Sequence, residues 1–228
     1  MEQPAWNPNT GTFFVSIPQL GTGGATDAGG IAEISTNGTV LHTTSLSSLG
    51  IASCSPTGLA VGGSGNLMVG CGNVGTAAIA LKVGASGTNL AIAKTFPGVA
   101  GTDELWYDPT TKKFYVTGNN GSNSSRFFAI ISDDSAGGSL LQTVALPATA
   151  SAHSITVDAL NGDVFVPLAG TAALDPCPAS FANPGCIAVF TPETAAAVPA
   201  PVAGAGLPGL LTGIGAMLAW FRKRRAAV

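Results

Sequence analysis

Leu105-Trp106-Tyr107-Asp108-Pro109-Thr110-Thr111-Lys112-Lys113-Phe114-Tyr115-Val116-Thr117-Gly118 is the stretch that decides the fold. It reads as an apolar strand, a tight polar turn and a second apolar strand. The same clause returns as Ala5-Trp6-Asn7-Pro8-Asn9-Thr10-Gly11-Thr12-Phe13-Phe14-Val15-Ser16 and as Ile155-Thr156-Val157-Asp158-Ala159-Leu160-Asn161-Gly162-Asp163-Val164-Phe165-Val166. A degenerate copy runs from Leu59 to Gly70. Asp and Asn open such turns because their side chains accept from backbone N–H groups two residues on, and Pro presets φ. On that ground Asn7, Asp108 and Asp158 are structural, and Trp6 and Trp106 belong in the packed interior.

Aligned on the residues that open the turns (Asn7, Val61, Asp108 and Asp158), the copies are spaced by 54, 47 and 50 residues. A repeat of about 50 residues with a strand–turn–strand core points to propeller blades of about four strands each. Two further strands are expected in each repeat: 31–35 and 39–43, 77–83 and 90–95, 126–131 and 139–144. Asn37-Gly38 between the first of these pairs is a favoured two-residue hairpin turn. The fourth repeat reaches only its third strand, 186–191.

The predicted fold is therefore all-β, a propeller-like array of four blades with the last lacking a strand, followed by one C-terminal transmembrane-type helix. The blades are expected at 2–46, 55–97, 102–148 and 152–191. A Pro/Ala linker at 192–201, an apolar span at 202–221 and a basic cytoplasmic tail at 222–228 complete the chain. Opening inside a blade suggests the C-terminal part of a larger propeller, with further blades and a signal peptide upstream. No signal peptide is visible in Met1-Glu2-Gln3-Pro4-Ala5-Trp6.

Composition narrows the function classes. Of 228 residues, 46% are hydrophobic, 9% are charged and 31 are Gly, which suits a turn-rich β protein. Four of the nine basic residues, Arg222, Lys223, Arg224 and Arg225, crowd the C-terminus; the rest of the chain carries 5 Lys/Arg against 12 Asp/Glu. An acidic body argues against nucleic-acid binding. The four cysteines fall into local pairs, Cys54 with Cys71 and Cys177 with Cys186. Two disulfides would suit an exported protein; partly buried free thiols are the other reading. No Cys-x-x-Cys spacing exists, which argues against a structural zinc site.

Residues 202–221 carry no charge, and 20 residues span about 30 Å of hydrocarbon as a helix. Arg222–Arg225 would then stay cytoplasmic. A buried hydrophobic tail is the competing reading.

Repeat geometry also proposes a site. Five residues before each turn opener stand Glu2, Pro56, Asp103 and His153; four before stand Gln3, Thr57, Glu104 and Ser154. These positions precede the innermost strand of each blade and should ring one mouth of the central channel. Glu2, Asp103, Glu104 and His153 would converge there as an acid–base group, or as ligands for a divalent cation (Ca, Mg or Zn). They would equally serve as ordinary wet polar residues. No Gly-x-Ser-x-Gly elbow, P-loop or zinc-protease helix is present.

The tail resembles the PEP-CTERM sorting signal of Gram-negative bacteria. The matching residues are Val198, Pro199 and Pro201, the apolar span, and Arg222, Lys223, Arg224 and Arg225, with Ala200 where the usual motif has Glu. That resemblance implies bacterial export, transient anchoring in the inner membrane, cell-surface or extracellular placement, and an exosortase-type processing enzyme as partner. The body resembles NHL-repeat and lactonase-like β-propellers through its Asp-Pro-x-Thr turn and Phe-Tyr-Val strand. The resemblance implies either a binding or scaffold protein of the envelope or extracellular matrix, with a protein or polysaccharide ligand, or a metal-dependent lactonase-type hydrolase. Fold alone does not choose between them.

Overall fold

A computed structural model describes residues 2–21, 27–73, 76–84, 89–119, 126–147, 152–169 and 185–192. The chain divides into two units, Met1–Thr191 and Pro192–Val228. The expected apolar span, the Pro-containing sorting residues and the basic tail lie outside the described residues. Among the described residues no helix is long and apolar enough to cross a membrane.

The first unit is all-β, built from four antiparallel sheets whose strands run in chain order. The first contains β1 (Pro4–Asn7), β2 (Thr12–Ile17), β3 (Gly30–Ser35) and β4 (Val40–Ser45), followed by a short 3₁₀ turn at Leu46–Leu49. The second contains β5 (Pro56–Val61), β6 (Asn66–Cys71), β7 (Ala77–Val83) and β8 (Leu90–Ala100). The third contains β9 (Leu105–Asp108), β10 (Lys113–Asn119), β11 (Arg126–Ser132) and β12 (Leu140–Ala145). The fourth has β13 (Thr156–Val157), β14 (Val164–Leu168) and β15 (Cys186–Phe190). Each sheet is a blade, and the first strands neighbour one another in the order β1, β5, β9, β13.

Side chains alternate between the two faces of a strand, so the second and third blades each bury one face against the blade before and the other against the blade after. Three apolar clusters occupy these junctions. Ala5, Phe14 and Ile31 of the first blade meet Leu59, Leu67 and Leu81 of the second. Met68 and Ala80 of the second meet Leu105, Phe114 and Ile131 of the third. Tyr115 and Phe128 of the third meet Val157, Val164 and Val166 of the fourth. Full burial of each such Leu, Ile or Phe contributes about 1.5–3 kcal/mol, so the junctions hold the unit together.

Turn chemistry fixes the registers. Asn7 Oδ1 accepts from the Asn9 N–H at 3.0 Å, and Asp108 Oδ1 accepts from the Thr110 N–H at 2.9 Å. Asp158 Oδ1 does the same for Leu160 at 2.9 Å. The fifth turn position is left-handed in each of these clauses, at Gly11, Lys112 and Gly162. The degenerate clause departs from the expected alignment. Its turn opens at Gly62 rather than Val61 and is one residue shorter, closing with Gly62 N–H to Asn66 O at 2.8 Å. Its polar closure comes from the next blade: Asp133 accepts from Ser64 N–H at 2.9 Å, Asn66 Nδ2 at 2.8 Å and Tyr107 OH at 3.0 Å, as well as from Ser64 Oγ.

Trp6 and Trp106 are not core residues, contrary to the sequence expectation; they are 45% and 42% exposed. Trp6 lies on the face of the first blade turned away from the second, where no described blade covers it. Trp106 pairs across the sheet with Tyr115, on the face turned to the fourth blade, whose β13 has only two residues with which to cover it.

One expected disulfide is present: Cys54 and Cys71, both fully buried, are bonded. It ties the segment leading into β5 to the end of β6. Cys186 is also disulfide-bonded, while Cys177 lies outside the described residues.

Candidate functional site

At the end of the blades where the first strands begin, a cleft of about 230 Å³ opens between the second, third and fourth blades. Its walls come from short segments that the blade topology stacks together: Thr57 in β5, Thr102 and Asp103 before β9, Asn119 and Arg126 at the facing ends of β10 and β11, and His153 before β13.

Asp103 and His153 meet in this cleft. His153 Nδ1 lies 2.5 Å from Asp103 Oδ2. A carboxylate on Nδ1 selects the tautomer with the proton on that nitrogen, which makes Nε2 the basic one. The backbone supports the pair, because Glu104 N–H donates to the His153 carbonyl at 2.9 Å. Both side chains reach solvent, with 70% of the His153 and 38% of the Asp103 side chain accessible. An ion pair so exposed contributes about 0–1 kcal/mol to folding, so stability does not explain its placement.

Two further groups on the cleft wall carry unmet hydrogen-bonding capacity. Thr102 is 1% exposed and its Oγ1 has no hydrogen-bond partner; Arg126 Nε is buried and also unpartnered. Leaving such a group buried and unsatisfied costs about 1–3 kcal/mol. Among the described residues no carboxylate lies within ion-pair distance of Arg126. The cleft thus combines an imidazole–carboxylate pair with a guanidinium whose charge is not neutralised by a described neighbour.

The approach of the blades beneath the cleft depends on small and polar residues. Gly58 packs so closely that a Cβ there would sit 2.2 Å from the Asp103 carbonyl oxygen. Thr57 Oγ1 donates to the Thr102 carbonyl at 2.8 Å. Gln3 joins three blades at once: its Oε1 accepts from the N–H groups of Leu59 (3.1 Å) and Leu105 (3.2 Å), and its Nε2 donates to the Leu105 carbonyl at 3.0 Å.

Of the four residues expected to converge, the structure therefore brings Asp103 and His153 together. Glu2 and Glu104 are exposed and do not line the cleft. Adjacent residues in extended chain point to opposite sides, so Asp103 and Glu104 diverge. Among the described residues, no group of three or more His, Cys, Asp or Glu is placed to hold a metal ion. The pair alone does not make a divalent-cation site, since calcium needs six to eight oxygen ligands and zinc four.

Thr57, expected at the mouth, does line the cleft, but in the same register as Asp103 and His153 rather than one step away, because the degenerate clause opens one residue later than its sequence suggests. With Gly62 as the opener, the fifth residue back is Thr57 rather than Pro56. From sequence alone Arg126 reads only as a strand residue. A signal was present, since it is the one arginine outside the C-terminal cluster.

No protein-family model matches the sequence, and no curated protein matches it. Solved structures do. Hydrazine synthase of Kuenenia stuttgartiensis superposes with a TM-score of 0.60 at 11% identity, over 83% of this chain and 50% of that one. A candidate 6-phosphogluconolactonase from Bacteroides uniformis gives 0.54 at 11% identity, over 82% and 53%. A Lactobacillus plantarum protein gives 0.53 at 13% identity, over 83% and 56%. The chain thus spans about half the length of the solved structures it matches. At these identities the likeness is one of fold, an all-β, propeller-like body that includes a lactonase-like neighbour.

Proposed function

We propose that the cleft hydrolyses a lactone, with Asp103 and His153 as its acid–base pair. The observation that carries this reading is the contact between His153 Nδ1 and Asp103 Oδ2, set in a cleft that also holds Arg126. It is the base-and-orienter geometry that activates water for attack on a carbonyl. The likeness of fold to a candidate 6-phosphogluconolactonase supports the reaction class.

In this account His153 Nε2 takes a proton from a water molecule as its oxygen attacks the lactone carbonyl carbon. Asp103 stabilises the imidazolium that forms. The charge that develops on the carbonyl oxygen falls to the Arg126 guanidinium on the cleft wall. When the intermediate collapses, the ring C–O bond breaks and His153 returns its proton to the departing alkoxide. The product is an open-chain hydroxy acid, which ionises at neutral pH and releases one proton. No step is routed through a metal ion.

We also infer that the protein is exported and held at a bacterial membrane by its C-terminal segment, with processing by an exosortase-type enzyme. The Cys54–Cys71 disulfide supports an oxidising compartment. A pure binding or scaffold role would use the same cleft without turnover. Proton release from a panel of five- and six-membered lactones separates the two. Turnover that disappears in His153→Gln supports hydrolysis; saturable binding of the same lactones without proton release contradicts it.

A further inference from the structure

Every junction between blades joins the same two kinds of face. The residue before each turn and the second residue after it face the preceding blade: Val61 with Leu67, Tyr107 with Phe114, and Val157 with Val164, all packed into the junction clusters. The equivalent pair in the first blade is Trp6 with Phe13. Their rings are in contact, with centroids 4.9 Å apart, as are those of Tyr107 and Phe114 at the same separation. Phe114 is fully buried, whereas Trp6 and Phe13 are 45% and 38% exposed. The chain has built a junction face there with no described blade upon it.

Among the described residues, the opposite kind of face is open on the fourth blade. In the third blade, Tyr115 and Phe128 of that face are covered by the fourth. In the fourth, Ile187 and Val189 of β15, which pair with Pro167 and Phe165 of β14, are 62% and 52% exposed.

We propose that a second copy of this chain covers both faces. Trp6 and Phe13 of one copy pack on Ile187 and Val189 of the other, and the reciprocal contact closes a twofold ring. Each end carries the complement of the other, and together they repeat a contact already made at three internal junctions. Two sets of four blades give a ring within the usual range of about four to eight blades. A heterologous contact made twice about a twofold axis closes without leaving an open filament end.

The test is the solution mass of the full 228-residue chain in mild detergent, measured by light scattering during gel filtration. The wild type should run at twice the chain mass. Trp6→Glu and Val189→Glu should each halve it, since either change spoils both contacts of the ring. An equimolar mixture of the two variants should regain the doubled mass, because one wild-type junction remains available between them. Trp6→Ser serves as a milder variant in case the charge disturbs the blade. A monomeric wild type overturns the proposal and leaves the faces to some other sheet. A doubled mass that survives both variants also overturns it, by placing association in the apolar tail.

Discussion

His153 Nδ1 stands 2.5 Å from Asp103 Oδ2, although the two residues lie 50 positions, one repeat, apart in sequence. Equivalent positions in successive blades converge at one end of the sheets, so a chemical pair arises between blades rather than within one. Asp103→Asn keeps the shape and removes the charge that orients and supports the imidazole. Loss of correctly positioned acid–base catalysis lowers turnover by about 10²–10⁴-fold. The thermal midpoint should move little, since so exposed a pair contributes about 0–1 kcal/mol. Turnover and thermal melting measured on the same preparation check both halves of this prediction.

Gly58 tests the packing that sets the pair. A Cβ there would stand 2.2 Å from the Asp103 carbonyl oxygen and 3.0 Å from Gln3 Oε1. The first neighbour is backbone, so it cannot swing aside. Gly58→Ala should destabilise the body by about 1–3 kcal/mol, as overpacking does elsewhere, and lower turnover because it displaces Asp103. Urea unfolding read beside turnover provides the check.

Asp108 gives a pH dependence with a definite sign. Burial pushes its carboxyl up, but donation from the Thr111 hydroxyl and from the backbone of Thr110 and Thr111 outweighs burial and leaves it below the ordinary value. A carboxyl depressed in the folded state adds stability above its unfolded pKa of about 3.9, and that contribution is lost as pH falls through the folded pKa. Asp134 is lowered too, chiefly by the N–H groups of Gly138 and Ala136. Asp108→Ala should cost about 1 kcal/mol at neutral pH and flatten the acid limb. Asp108→Asn should keep most of the turn, as Asn7 does in the first blade, and still flatten that limb. Thermal melting between pH 2 and pH 6 measures it.

The Cys54–Cys71 bond closes a short loop, its partners lying 17 positions apart in sequence. Replacing both by Ala should lower stability by about 2–4 kcal/mol. Both sulfurs are buried, so reductant should break the bond only when the second blade opens. Thiol labelling with and without denaturant tests this.

Much of the fold was legible because one turn is written three times with little change. Asn7, Asp108 and Asp158 mark it, and each does the hydrogen-bonding that its residue type suggests. The second blade was read one residue out of register because Gly62-Gly63-Ser64-Gly65 offers no Asp or Asn to mark the opener. Its polar partner, Asp133, comes from the next blade, and no local pattern shows that. Trp6 and Trp106 were misplaced for a related reason: an aromatic residue in a strand signals burial only when a neighbouring blade exists to cover it. In the candidate site, Asp103 and His153 were found by repeat arithmetic. Arg126 and Thr102 were not, because they lie at strand ends that become a wall only when three blades assemble.

The most direct measurement of the central claim is proton release during lactone hydrolysis, followed at constant pH with the full chain and with His153→Gln. Saturable turnover by the wild type and a loss of at least about 10²-fold in the variant are expected, with the melting temperature unchanged. Release at the uncatalysed rate by the wild type, or equal turnover by the two proteins, would contradict it.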